Sequence, residues 1–469
     1  MQTPSRRQSL AVGAILLCCL SLFAPTLAAQ SNGQENVADN GSIADNPCVG
    51  TITGPANGTT VVAVQGYSWI DDGQKREAKL VAIGPNGTVK WVHHTGEHGM
   101  VWGYDVDPMP NGNLFVTGTA NGETVVYEFN PRTQEHVWKE TLPIEDTHDV
   151  DLINNGTQLL VANLRNYNEK EERNDDSIFV YDLQKDEVVW RWFFRDHYDS
   201  SVGGNYTKDW SHVNDVDKIG PGEYLASPRN FDQAIVINRS TGNVDMQLGS
   251  YGEKDVLDKQ HNPDYLESED GTPTLLVADS ENNRIVEYEK EGDGWNRTWS
   301  MGKGDDLSWP RDADRLANGN TLIGDSKHER VLEVTPKGKV VWEFYTPWLV
   351  YDVARIPDER VESPTIADQN ATGSYAFKGA TQKYDAESMK QCNAYLNSID
   401  GWADGQKPDN TTTSDGAGVQ DNDERNDGSL GGSDGDSGDS STSLPGFNVV
   451  VALVSLLAAA ALLVSDRRD

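Results

Sequence analysis

Six times along this chain a variable residue and an aspartate open an apolar strand. The copies are Tyr104-Asp105-Val106, His148-Asp149-Val150, Asn214-Asp215-Val216, Pro263-Asp264-Tyr265, Arg311-Asp312-Ala313 and Tyr351-Asp352-Val353. Their aspartates lie 44, 66, 49, 48 and 40 residues apart. After most of them comes a turn and a second apolar run: NGNLFVTG, NGTQLLVAN, PGEYLASPR, DGTPTLLVADS, NGNTLIGDS. A third run follows (TVVYEF, SIFVYDL, QAIVINR, RIVEYEK, RVLEVTP), and then a fourth. The fourth run carries Trp91, Trp138, Trp190, Trp299 or Trp342, the copy around Gln247 being the exception. Four short strands per unit, repeated at this period, cannot bury their faces alone and must stack on their neighbours. The expected fold is all-β, a six-bladed β-propeller over residues 48–395.

Only five units run complete, from Asp105 to Trp342. The sixth has its first strand at YDVARI, residues 351–356, and its other three at the opposite end of the chain, in TVVAVQG, AKLVAIG and TVKWVHH. The ring should therefore close with strands from both chain ends in one blade. Cys48 lies just before the N-terminal part and Cys392 shortly after the C-terminal strand. A bridge between them would staple the closure, worth roughly 4–5 kcal/mol in chain-entropy terms before strain is subtracted. Two free or separately paired thiols are the other reading.

Residues 1–29 have a basic start, an apolar middle and small residues before Gln30, the pattern of a signal peptide. An uncleaved anchor is the alternative. Arg6-Arg7 leans toward twin-arginine export. Cys18 and Cys19 leave with that leader, so Cys48 and Cys392 remain as an even pair in an exported chain. Acidic residues outnumber basic ones 74 to 39, a formal net charge of −35. Such a field repels phosphates and excludes nucleic-acid partners, and it suits a surface kept hydrated at high salt. Nine Asn-x-Ser/Thr sequons, from Asn40 to Asn410, are consistent with a surface glycoprotein.

Residues 402–444 are rich in Asp, Ser, Gly and Thr and read as a disordered stalk. The segment 445–469 then combines Pro445-Gly446-Phe447, an eighteen-residue apolar run from Phe447 to Val464, and Arg467-Arg468. This trio resembles the PGF-CTERM sorting signal of archaeal surface proteins. The resemblance implies processing by an archaeosortase-type enzyme and attachment to the cell membrane at the C-terminus. A plain transmembrane anchor is the alternative.

The first strand of a propeller blade lines the central channel. Aspartates present in every copy suit the upkeep of the repeat, so the variable slots carry the information. Immediately before the aspartate stand Tyr104, His148, Asn214, Pro263, Arg311 and Tyr351. Two positions earlier stand Trp102, Asp146, His212, His261, Trp309 and Leu349. Arg229 ends the next strand of the third unit. Ring geometry aims these at one point, giving three histidines, two arginines, an amide and aromatic walls: an anion pocket in a strongly acidic protein. Each member also has a plainer role. A histidine in a blade loop can be a hydrogen-bonding residue, and Arg311 can pair with Asp312 or Asp314. His93, His94 and His98 in VHHTGEHG suggest metal, but no second ligand cluster supports a zinc site, and none is expected. No phosphate-binding loop or dinucleotide fingerprint occurs, so no cofactor is expected.

His212-x-Asn214, Arg229 seventeen residues on, Gln260-His261 and the later ADSENNR resemble the arylsulfate sulfotransferases, over most of residues 50–360. The resemblance implies sulfuryl transfer from an aryl sulfate donor to a phenolic acceptor without a nucleotide donor. By it, His261 is the nucleophile that becomes transiently sulfated. His148, His212 and Arg229 bind sulfuryl oxygens and handle protons, and Asn214 supports them. The extra N-terminal β domain of bacterial members has no counterpart between the leader and the first strand. The residues fit this chemistry on their own terms: a neutral imidazole is a competent nucleophile, and an imidazolium neighbour would help a phenol of pKa ~10 to leave. Trp102, Tyr104 and Trp309 suit stacking on aryl groups, with Arg311 beside them. Two other classes remain open: a quinoprotein-like redox enzyme, suggested by the GTVKW and GKVVW strand ends, and a non-catalytic ligand-binding surface propeller.

Overall fold

In a computed structural model of the chain, the described residues are 46–66, 77–145, 147–357, 363–379 and 385–408. The leader, the channel-slot residue Asp146, residues 409–444 of the expected stalk and the segment 445–469 lie outside them. Among the described residues, no helix is long and apolar enough to cross a membrane.

The repeats form six antiparallel sheets of four strands, each with its x-Asp strand innermost, and a separate two-stranded ribbon pairs Tyr167–Asn168 with Arg173–Asn174. Blade I begins at Met100–Pro108, blade II at Val150–Ile153, blade III at Val213–Gly220, blade IV at His261–Glu267 and blade V at Pro310–Arg315. Blade VI takes its innermost strand, Val350–Ile356, from the C-terminal side. Its next three, Thr59–Val64, Lys79–Ile83 and Val89–His94, come from the N-terminal side. The seam between the chain ends is the pairing of Thr59 through Val64 with Ile356 through Val350. Gly58 makes the turn into that seam at φ 97°, and a Cβ there would run into the Ile356 carbonyl oxygen, so both conformation and space require glycine.

Alternation within each strand sends apolar side chains into six clusters, each shared by two adjacent blades. Ile285 and Met301 of blade IV meet Leu332 and Val340 of blade V, for example. Leu225 and Val236 of blade III meet Val277 and Val286 of blade IV. The core is thus a ring of interfaces.

The repeated aspartates stitch the inner strands together. Asp149 accepts from the Val216 N–H at 2.6 Å, Asp312 from Val353 at 2.9 Å and Asp352 from Val106 at 3.0 Å. In each case the donor is the residue after the aspartate of a neighbouring blade, which supports the reading of these aspartates as upkeep of the repeat.

Three short strands extend the blades beyond the four-strand pattern. Val49–Ile52 adds to the outer edge of blade V, Gly373–Tyr375 runs parallel along blade IV, and Gly401–Trp402 pairs with the last strand of blade VI. The packed unit therefore continues past residue 395 to Trp402 and the buried Ala403, into the start of the segment read as stalk. Helix α1 (Ala386–Asn397), capped by the Asp385 side chain on the Ser388 N–H, buries Met389, Cys392 and Leu396 among residues of blades V and VI. Cys48 and Cys392 are bridged. The bridge ties α1 to the strand added on blade V, so it secures the closing blade from the side.

Candidate active site

The innermost strands of blades III, IV and V each break register between the slot residues and the aspartate: between Val213 and Val216, His261 and Asp264, and Pro310 and Asp312. Bulges re-aim side chains, and these three fall at the slot and aspartate positions. His212 and Trp309 occupy the same slot two blades apart, and both adopt left-handed backbone, with φ of 43° and 55°. For non-glycine residues that conformation is held by the surroundings at a cost, as at many functional sites. The Arg229 N–H donates to the His212 carbonyl at 3.3 Å, which fixes the arginine against the histidine.

The rings gather on Tyr351. Tyr104 lies 5.1 Å from it between centroids, His148 5.7 Å and His261 6.3 Å. His148 stacks on Tyr104 at 4.5 Å and meets His212 edge-on at 5.0 Å. His261 faces Trp309 at 6.0 Å. The Arg311 guanidinium lies 4.1 Å over Trp309 and 5.1 Å over Tyr351, with one N–H to Gln65 Oε1 at 2.6 Å. It turns to the aromatic site and away from the suggested Asp312 or Asp314. Asn214 donates from Nδ2 to the Gln260 carbonyl at 2.9 Å. Trp102 lies on the same innermost strand as Tyr104, Met100–Pro108. It is half-buried, two residues before Tyr104, with its backbone opposite Thr119.

All three imidazoles are neutral. Burial first, then the charges of His212, Arg165 and Arg311, pushes His148 well below its ordinary range. Burial and then Arg311 and Arg229 do the same to His261. For His212, burial outweighs the Asp209 hydrogen bond and holds the ring at about 4. A resident imidazolium acid is therefore not what these surroundings favour. Positive charge sits on Arg229 and Arg311, the latter lowered to about 10, chiefly by burial.

Hydrogen bonding fixes two tautomers. The Ser280 hydroxyl donates to the Pro310 carbonyl at 2.7 Å, so toward His261 Nδ1, also at 2.7 Å, its oxygen accepts. Nδ1 of His261 thus carries the proton, and Nε2 keeps a lone pair. His212 Nδ1 donates to Asp209 at 2.8 Å. Burial raises that carboxylate, but the His212 bond and the charges of His212, Arg165 and Arg229 outweigh it and hold it at about 2. Nε2 of His212 is free as well. His148 Nδ1, Asn214 Oδ1, Arg229 Nε, Arg311 Nε and Trp309 Nε1 are buried without a hydrogen-bond partner among the described residues. The open N–H groups among them are what an oxyanion ligand would satisfy, while Asn214 Oδ1 can only accept.

Sequence reasoning placed the slots but passed over the residues that orient them. Tyr351 was visible as a slot residue, yet its place at the centre was not. Asp209, Ser280 and Gln65 carry no repeat signal, and nothing in the sequence marks them.

Fold and site together define a six-bladed propeller in which buried histidines, arginines and aromatic rings gather on the innermost strands. Residues 67–284 match the family model Arylsulfotransferase (ASST). Residues 444–465 match the PGF-CTERM motif, which marks surface proteins anchored to the cell membrane through the C-terminus. No curated protein matches the chain. Among solved structures, a Bacteroides caccae protein of unknown function is 15% identical, covering 63% of this chain and 98% of its own, with a TM-score of 0.43. A chain of the nidogen/laminin complex is 13% identical, with coverages of 63% and 97% and a TM-score of 0.42. The Pseudomonas aeruginosa periplasmic gluconolactonase is 14% identical, with 63% and 98% covered and a TM-score of 0.41.

Proposed function

We propose that this protein is a nucleotide-independent aryl sulfotransferase that moves a sulfuryl group from an aryl sulfate to a phenol through a sulfated His261. The observation that carries the proposal is the Ser280–His261 pair. A hydroxyl already committed to Pro310 leaves Nδ1 of His261 as donor and Nε2 as a neutral, buried nucleophile beside two guanidinium groups.

In the first half-reaction the sulfate monoester sets its anionic oxygens against Arg229, Arg311 and the open N–H groups of His148 and Trp309. The Nε2 lone pair of His261 forms the N–S bond as the aryl S–O bond breaks, and the phenolate leaves with the bonding pair. Such transfers need in-line positioning and stabilisation of charge on the non-bridging oxygens, which fixed guanidinium and imidazole groups supply without reorganising. Trp309, Tyr104 and Tyr351 offer faces to the two aryl groups. In the second half-reaction His212, oriented by Asp209, takes the acceptor's phenolic proton on Nε2. The phenolate oxygen then attacks sulfur, and the N–S bonding pair returns to His261.

The test is intact-mass analysis after brief exposure to a chromogenic aryl sulfate with no acceptor. Wild type should gain one SO3 group, and His261→Ala should gain none while remaining folded. Turnover by His261→Ala at the wild-type rate would refute the covalent route. A fully inert wild type would favour ligand binding alone.

A further inference from the structure

VHHTGEHG offered histidines without a second ligand cluster, and the fold supplies the missing one. His93 ends the strand Val89–His94 of blade VI, and His98 closes the 3-10 turn Thr95–His98 that leads into blade I. His136 comes from the outer strand of blade I, Glu135–Leu142. Ring nitrogens of these three all lie within 4.8 Å of one another. The shortest separation, His93 Nε2 to His136 Nε2, is 3.1 Å. Two imidazole nitrogens on a tetrahedral zinc, each ~2.0–2.1 Å from the ion, stand roughly 3.3 Å apart. His98, stacked on His136 with ring centroids 4.0 Å apart, must tilt off that face for all three rings to reach one ion.

We propose that His93, His98 and His136 form a site for one divalent transition-metal ion of the imidazole-preferring class, with Zn2+ as the type. Packing sets the rings in advance. His136 lies between Tyr127 at 4.2 Å and His98 at 4.0 Å, and His93 stacks on Phe129 at 4.3 Å. His94 is turned away, its Nε2 at 2.7 Å from the Ile399 carbonyl oxygen. His98 is exposed, which gives the ion a way in and leaves a coordination position for water.

The placement gives the ion a structural role. It would join the blade built from both chain ends to the first complete blade, on the opposite side of blade VI from the disulfide. A ligand that binds only the closed ring stabilises it by mass action. Zinc, nickel and copper all suit three imidazoles, with copper bound tightest in the usual order.

The experiment uses the full chain, free of any affinity tag, stripped with chelator and titrated calorimetrically with ZnCl2 in concentrated KCl. Wild type should bind one Zn2+ per chain, and its thermal midpoint should rise with added zinc. His136→Phe keeps the stack between Tyr127 and His98 but removes a ligand, and should bind at least ~10²-fold more weakly. His94→Ala should bind as wild type does. If His136→Phe fails to fold, His98→Ala at the exposed ligand gives the same readout. Absence of stoichiometric binding by wild type, or unchanged binding by the ligand variants, overturns the site.

Discussion

Ser280→Ala separates the chemistry of His261 from the architecture around it. The Ser280 hydroxyl does two things: it bonds the Pro310 carbonyl of the next blade, and it accepts the Nδ1–H of His261. Ser326 repeats the first task one blade on, bonding the Val350 carbonyl at 2.5 Å, with no histidine attached. Losing one buried hydrogen bond costs about 1 kcal/mol net, and up to ~3 kcal/mol where the partner stays unsatisfied. Ser326→Ala and Ser280→Ala should therefore lose similar stability, a few degrees in thermal midpoint at most. Only Ser280→Ala also leaves the His261 Nδ1–H without its acceptor and frees the ring to adopt the tautomer that protonates Nε2. That penalty, ~1–3 kcal/mol on the reactive form, becomes a roughly 10- to 10²-fold slower sulfation of His261. The assay is rapid-quench mass analysis of sulfuryl uptake from an aryl sulfate without acceptor, with midpoints measured in parallel. Ser280→Thr, which keeps a hydroxyl, should recover most of the rate. Wild-type uptake by Ser280→Ala would refute the tautomer argument.

The pH profile of kcat/KM should keep its neutral-imidazole plateau well below pH 6.5. His212 is held at about 4 by burial, so protonation stops the base only as pH falls toward that value. An acid limb at the free-histidine pKa would contradict the burial argument, provided the fold is shown intact by circular dichroism. Replacing Arg229 with Ala should slow transfer by roughly 10²–10³-fold as for a lost oxyanion donor, with little change in thermal midpoint. Reducing the Cys48–Cys392 bridge should lower unfolding free energy by up to roughly 4–5 kcal/mol, and denaturant titration with and without reductant measures it. Gly58→Ala should destabilise the seam between the chain ends through both its positive φ and the Ile356 carbonyl, visible as earlier hydrogen exchange at Thr59–Val64.

What the sequence made legible was whatever repeats. The x-Asp step, the turns and the fourth-strand tryptophans recur at one period, and blade count, blade order and the split sixth blade follow from them. The cysteines could be paired because each flanks a part of that split blade. The three added edge strands were hidden because two to four residues contain no readable alternation. Helix α1 lies beyond the last repeat, where no periodic frame extends to it. At the site, slot residues were legible because each stands at a fixed offset from its aspartate. Their partners were not, since Gln65 is 246 residues from Arg311 and Ser280 stands 19 beyond His261. His136, 43 residues from His93 in sequence, was equally invisible as its neighbour.

The same inner strands that end in the anion pocket also carry ten aspartates into one polar channel, six from the repeated step and the rest from Asp107, Asp151, Asp217 and Asp314. An anion pocket next to so many carboxylates looks self-defeating until their charge state is considered. Burial first, then neighbouring carboxylates, raises Asp105, Asp149, Asp215 and Asp312 well above the ordinary carboxylate range. The ring therefore keeps protons that isolated aspartates would have released, and its field on the pocket is weaker than a count of carboxylates suggests. An aryl sulfate in the pocket would meet guanidinium and open N–H groups, beside the Asp209 carboxylate that orients His212. The repeat thus builds the ring, and the variable slots determine where it can hold an anion.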